Sequence, residues 1–110
     1  STFTAFYPST TALDSQISLT LTIINPSSIT YKNTVIQTNN LFQSFTVISS
    51  TNTINANIIN VGDFPPGTTS VTIQLRAPNH PGTFTDTATL IYQGIQNQLT
   101  QQITITVRGR

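Results

Sequence analysis

Residues Gln16–Asn25 read QISLTLTIIN. Ile17, Leu19, Leu21 and Ile23 alternate with Ser18, Thr20 and Thr22. A strand sends successive side chains to opposite faces, so this period of two reads as a β-strand with one buried face. Asn25-Pro26-Ser27-Ser28 ends it with turn residues. Working outward, the same signal recurs. Residues 69–77 carry Val71, Ile73 and Leu75 inward, and residues 99–107 carry Ile103, Ile105 and Val107 inward. Residues 83–92 put Phe84, Asp86, Ala88, Leu90 and Tyr92 on one face. Residues 30–38, with Tyr31 and Val35 on one face, 42–50 and 54–61 complete seven strands, and residues 2–7 add a short one at the N-terminus. Breakers at Gly62-Asp63-Phe64-Pro65-Pro66-Gly67 and Pro78-Asn79-His80-Pro81-Gly82 separate them. Strands at this spacing predict an all-β fold, an immunoglobulin-like two-sheet antiparallel sandwich.

Composition fits a sheet protein with an uncharged coat. The chain has 110 residues, enough for one such domain. Charged residues are 6%, against roughly 25% in an average domain. The acids are Asp14, Asp63 and Asp86; the bases are Lys32, Arg76, Arg108 and Arg110. Thr, Ser, Asn and Gln together supply 51 of the residues, and their regular interleaving with Ile, Val, Leu and Phe argues against disorder. A net charge of +1 gives no field to steer a nucleic acid. No apolar run reaches the roughly 20 residues that a membrane-spanning helix needs. Nucleic acid and membrane insertion are therefore not expected. Cys, Met and Trp are absent, so no disulfide framework exists and few side chains oxidise readily.

The catalytic inventory is short. His80 is the one histidine, in a Pro/Gly loop, and the chain has no Cys and no Glu. A nucleophilic triad would need His80 beside one Asp and a serine. One His and three scattered Asp give no metal-ligand spacing. Gly62–Gly67 has no following Lys-Ser/Thr, so it reads as a turn between sheets and not a phosphate loop. The expectation is no enzyme activity, no cofactor and no metal. A carbohydrate-binding role ranks last, since only Tyr7, Tyr31 and Tyr92 stand beside the phenylalanines.

Three segments carry a resemblance. They are Ile23-Ile24-Asn25-Pro26-Ser27-Ser28 with Tyr31-Lys32-Asn33-Thr34-Val35, then Val61–Thr68 (VGDFPPGT), then Pro81–Thr89 (PGTFTDTAT). Their order resembles the Ig-like repeat domains of bacterial and archaeal cell-surface proteins, including S-layer-associated and adhesin-stalk modules, over roughly residues 15–107. The resemblance implies an extracellular, cell-surface stalk, spacer or assembly role, with surface-protein or glycan contacts open. Sandwiches of this kind sometimes join Lys to Asn or Asp by an isopeptide bond, which makes Lys32 with Asp86 a candidate pair; the alternative is an exposed lysine guarding an edge strand.

The N-terminal segment is the other candidate. Phe3, Ala5 and Tyr7 alternate with Thr2, Thr4 and Phe6, so both faces carry aromatics. Such a strand either folds back as the first strand of its own sandwich or inserts into a neighbouring copy as a donor strand. The division expected is 1–15, strand and tether, and 16–110, sandwich. Insertion through Phe3, Ala5, Phe6 and Tyr7 would build a homo-polymer resembling pilin-like and thread-like filaments. Retention would leave a monomeric stalk module.

Overall fold

The computed structural model describes residues 1–93 and 98–109. Its strands are β1 (Thr2–Phe6), β2 (Thr10–Ala12), β3 (Gln16–Asn25), β4 (Tyr31–Gln37), β5 (Thr46–Ser50), β6 (Ile54–Asn55), β7 (Ile58–Phe64), β8 (Gly67–Arg76), β9 (Gly82–Ile91) and β10 (Leu99–Arg108). One helical turn, α1 (Leu41–Ser44), lies between β4 and β5. Two sheets form, a four-stranded one ordered β1-β3-β8-β5 and a six-stranded one ordered β2-β10-β9-β4-β7-β6. All pairings are antiparallel except β2 with β10, which is parallel. The chain is the expected two-sheet sandwich.

The alternating residues meet between the sheets. Ile17, Leu19, Leu21 and Ile23 of β3 and Val71, Ile73 and Leu75 of β8 are buried on one side. Ala88 and Leu90 of β9 and Ile103, Ile105 and Val107 of β10 are buried opposite. The outward positions of these strands are largely Thr, Ser and Gln, which keep strand propensity without charge. Thr83 meets Thr106 and Thr85 meets Thr104 hydroxyl to hydroxyl, each at 3.3 Å.

Four local readings change, and the first is that the strand expected over 54–61 is a hairpin, β6 and β7, turning at Ala56-Asn57 with Ala56 at φ 53°. On β4 the buried residues are Thr34 and Ile36, not Val35. Asn33 takes φ 56°, and the pairing with β7 slips between Tyr31 and Thr34, so one inserted residue reverses the parity. Gly62, at φ 79°, sits opposite Thr34 and accommodates that bulge. The expected strand 42–50 is α1 followed by the shorter β5. Leu41 and Phe45 are both buried four residues apart, a helical spacing that a search for alternation passes over. The break expected over Gly62–Gly67 narrows to Pro65-Pro66, since β7 runs to Phe64 and β8 starts at Gly67. This corner carries the chain from the six-stranded sheet to the four-stranded one.

Thr34 is fully buried, and its hydroxyl finds no hydrogen-bond partner among the described residues. A buried unpaired hydroxyl costs stability that a methyl of the same shape does not. Thr34→Val is expected to stabilise the fold by about 1 kcal/mol, read as a higher urea midpoint at unchanged slope.

Candidate assembly surfaces

The first twelve residues touch both sheets. β1 is an edge strand paired with β3 of its own chain, with Phe3 opposite Ile23 and Ala5 opposite Leu21. Phe3 is buried and Ala5 packs against the core, whereas Phe6 points outward and is 81% exposed. After Phe6 the chain crosses to the other sheet. The half-buried Tyr7 packs on the core, and its hydroxyl accepts the Thr104 N–H at 3.0 Å and lies 3.4 Å from the Gln102 carbonyl. Ser9 carbonyl accepts the Thr106 N–H at 2.8 Å, and β2 then pairs with residues 106–108 of β10. Of the four candidate donor-strand residues, Phe3, Ala5 and Tyr7 thus face the core of their own chain, and Phe6 faces away from it.

The structure does not bring Lys32 and Asp86 together. Val35 stands opposite Ile91; Lys32 lies three residues away on one side and Asp86 five on the other, a separation of roughly 25 Å. Lys32 pairs instead with Asp63 on the neighbouring strand, Nζ to Oδ2 at 3.1 Å, both side chains well exposed. Its strand β4 lies between β9 and β7 and is not an edge. Lys32 and Asp86 are therefore not an isopeptide pair here.

Asp86 has other work. It is 6% exposed, and Oδ2 accepts the backbone N–H groups of Asn39, Asn40 and Leu41 at 3.1, 3.1 and 2.8 Å. Oδ1 accepts the N–H of Thr87 at 2.7 Å. One carboxylate thus satisfies the donors that open α1, across 45 or more residues of sequence. β4 leaves its sheet after Gln37, and Asp86 fastens α1 beside the stretch of β9 that β4 no longer covers. A carboxylate so engaged is a clip for the β4–β5 crossing.

Asn25 has the same role at the other end of the sandwich, and alternation alone gives no sign of it. Its buried amide donates to the carbonyls of Ile29 (2.7 Å) and Phe64 (3.2 Å), and its oxygen accepts the N–H (2.9 Å) and hydroxyl (2.7 Å) of Ser27. The Asn-Pro-Ser turn and the proline corner are tied together by this one side chain.

Among the described residues nothing catalytic assembles around His80. Its ring meets Phe84 edge-on at 5.8 Å, and no hydrogen bond joins it to a carboxylate or hydroxyl among the described residues. Two cavities flank α1, of about 210 Å3 against β9 and about 360 Å3 against the β6–β7 turn. Among the described residues Asp86 is the one titratable group lining them, and it is already committed to backbone donors. Among the described residues no three His, Cys, Asp or Glu gather as metal ligands.

No family model and no curated protein matches the sequence. Solved structures do. The chain is similar over 97% of its length to part of Escherichia coli α2-macroglobulin, with a TM-score of 0.66 and 23% identity. It spans 7% of that chain. It is similar over 96% of its length to a CARDB domain from Pyrococcus furiosus, covering 90% of that chain, with a TM-score of 0.63 and 14% identity. A non-cellulosomal cohesin from Archaeoglobus fulgidus matches over 98% of this chain and 92% of its own, with a TM-score of 0.53 and 16% identity. These likenesses show the fold, an immunoglobulin-like β-sandwich, in settings that range from a small part of a long chain to a near-complete one.

The clip has a measurable weight. Asp86→Ala leaves three N–H groups at α1 without their acceptor and is expected to cost about 2–4 kcal/mol in urea unfolding. Asp86→Asn keeps one carbonyl oxygen and falls between the two.

Proposed function

We propose that this chain is a structural module of an extracellular, cell-surface assembly, which holds its two attachments apart and carries tension between them. The observation that carries this reading is where the termini lie. The molecule measures 50 × 22 × 20 Å. Strands β3, β8, β9 and β10 have ten residues each, about 33 Å, so they must run along the long axis. Ser1 meets Tyr92, hydroxyl to hydroxyl at 2.7 Å, and Thr2 stands opposite Ile24 at one end of that axis. Arg108 stands opposite Ala12, and Val107 opposite Gly82, at the other. Chain termini often lie close together; here they are an end-to-end pair, as in-line connection requires. Similarity to a domain within a much longer chain supports a modular role.

The hydrogen bonds are oriented for that load. Pulling Ser1 and Arg108 apart draws β1 along the axis of β3 and β2 along the parallel strand β10. The five β1–β3 pairs and the three β2–β10 pairs, with the Tyr7 hydroxyl beside them, are then loaded together in shear and not peeled one by one.

A second reading has its own observation. β1 is an edge strand with a large exposed aromatic, followed by Pro8 at the crossing between sheets. The same strand can leave β3 and pair with β3 of another copy, which would give a homo-polymer by donor-strand exchange.

Because the chain lacks cysteine, force can be applied through introduced cysteines at chosen points. Pulling between the termini is expected to require at least about twice the unfolding force of pulling between Asn79→Cys and the C-terminus, which peels β10 from β9. Equal forces in the two directions overturn the axial reading. Deletion of residues 1–11 tests the exchange reading by negative-stain microscopy. Filaments of the full chain that vanish on deletion support it, and a full chain that stays monomeric sinks it.

A further inference from the structure

We infer that the free edge of β1 pairs with the same edge of a second copy, antiparallel and centred on Thr4, so that two four-stranded sheets fuse into one. This goes beyond strand exchange, because each β1 stays on its own β3. It rests on the assembly reading only in taking copies to meet; the axial force measurement stands or falls separately.

Among the described residues the sandwich has four edge strands, β1, β2, β5 and β6, and three of them are short or break register. β6 has two residues. β5 breaks register between Val47 and Ser49. β2 has three residues, and beside it the Tyr7 hydroxyl already occupies the Thr104 N–H of β10. Short strands, irregular register and covered edges are the devices that keep sheets from joining edge to edge. β1 has neither of the first two. Its five residues pair with β3 in unbroken register and contain no charge and no proline. Alternate N–H and C=O groups along it point away from β3 and pair with no strand among the described residues, although β10 of the other sheet approaches β1 on that side.

The side chains are self-complementary about Thr4. In the two-fold pairing Thr4 meets Thr4, Phe3 meets Ala5 and Thr2 meets Phe6 of the other copy. On the inner face a large residue then lies beside a small one, which extends the core surface evenly. On the outer face Phe6 comes to the partner's Thr2. Thr2 is flanked on its own sheet by Ile24, which is 40% exposed. Phe6 and Ile24 are two of the four large apolar side chains left exposed among the described residues of the single chain. This pairing shields both, and Ile24 is otherwise hard to explain at an outward position where β3 uses Ser18, Thr20 and Thr22.

Charge at the centre provides the test. Thr4 faces outward opposite Thr22 in the single chain, so Lys or Asp there leaves the fold intact, which circular dichroism verifies. Across the two-fold, two lysines or two aspartates stand directly opposed. Sedimentation equilibrium up to about 1 mM is expected to find a dimer of the native chain, weakened by about tenfold in Thr4→Lys and in Thr4→Asp alone and restored when the two are mixed. In an exchanged dimer Thr4 faces Thr22 of the other copy, so the mixture would show no rescue. A native chain monomeric throughout, or a dimer indifferent to the charges, overturns the inference.

Discussion

The passage of the first twelve residues from one sheet to the other is the constraint on which the rest of this molecule depends. β1 closes the four-stranded sheet and β2 the six-stranded one, and the crossing at Tyr7–Ser9 joins the two layers along one side. Tyr7 makes the crossing possible. Where the backbone has left one sheet and not yet reached the other, its hydroxyl takes the Thr104 N–H that a strand would otherwise satisfy. A phenolic side chain suits this place because its ring is apolar enough for the core while its tip bonds to backbone. The crossing also determines which edges remain free and which strands lie next to the termini.

Sandwich class and the major strands were legible because burial imposes a period of two wherever a strand has one wet face. β3, β8, β9 and β10 follow that period over ten residues each, and their inward residues are the core. The pattern failed where a residue was inserted or a helix intervened. Asn33 shifts β4 by one position, which is enough to exchange its faces, and no local signal separates an asparagine in a bulge from one on a strand surface. At α1 the deciding partner is Asp86, more than forty residues away, so local propensity could not supply it. The candidate surface was legible in part. Alternation identified the N-terminal strand, but the exposure of Phe6 and the blunting of the other three edges are properties of sheet order.

Scarcity of charge shapes how polar groups are used. Two of the buried polar side chains, Asn25 and Asp86, bond to backbone groups and not to other side chains, apart from the Ser27 hydroxyl. Each holds backbone groups where the chain leaves one sheet for the other. A backbone in transit cannot pair within a ladder, so a side chain must complete its hydrogen bonds. Between them they secure the β3–β4, β4–β5 and β7–β8 connections, at opposite ends of the long axis. Sheets carry the length of the molecule, and single side chains hold its ends closed.

A sparsely charged coat lowers a common barrier to association. Most surfaces repel their own copies through like charge, and edge lysines are a standard guard against sheet joining. Here Lys32, the one lysine, lies on an inner strand and is paired with Asp63. Protection falls instead to strand length, register breaks and the Tyr7 hydroxyl. Those are backbone devices, each specific to one edge. Each guard is local, so how far an edge is protected depends on the strand that forms it.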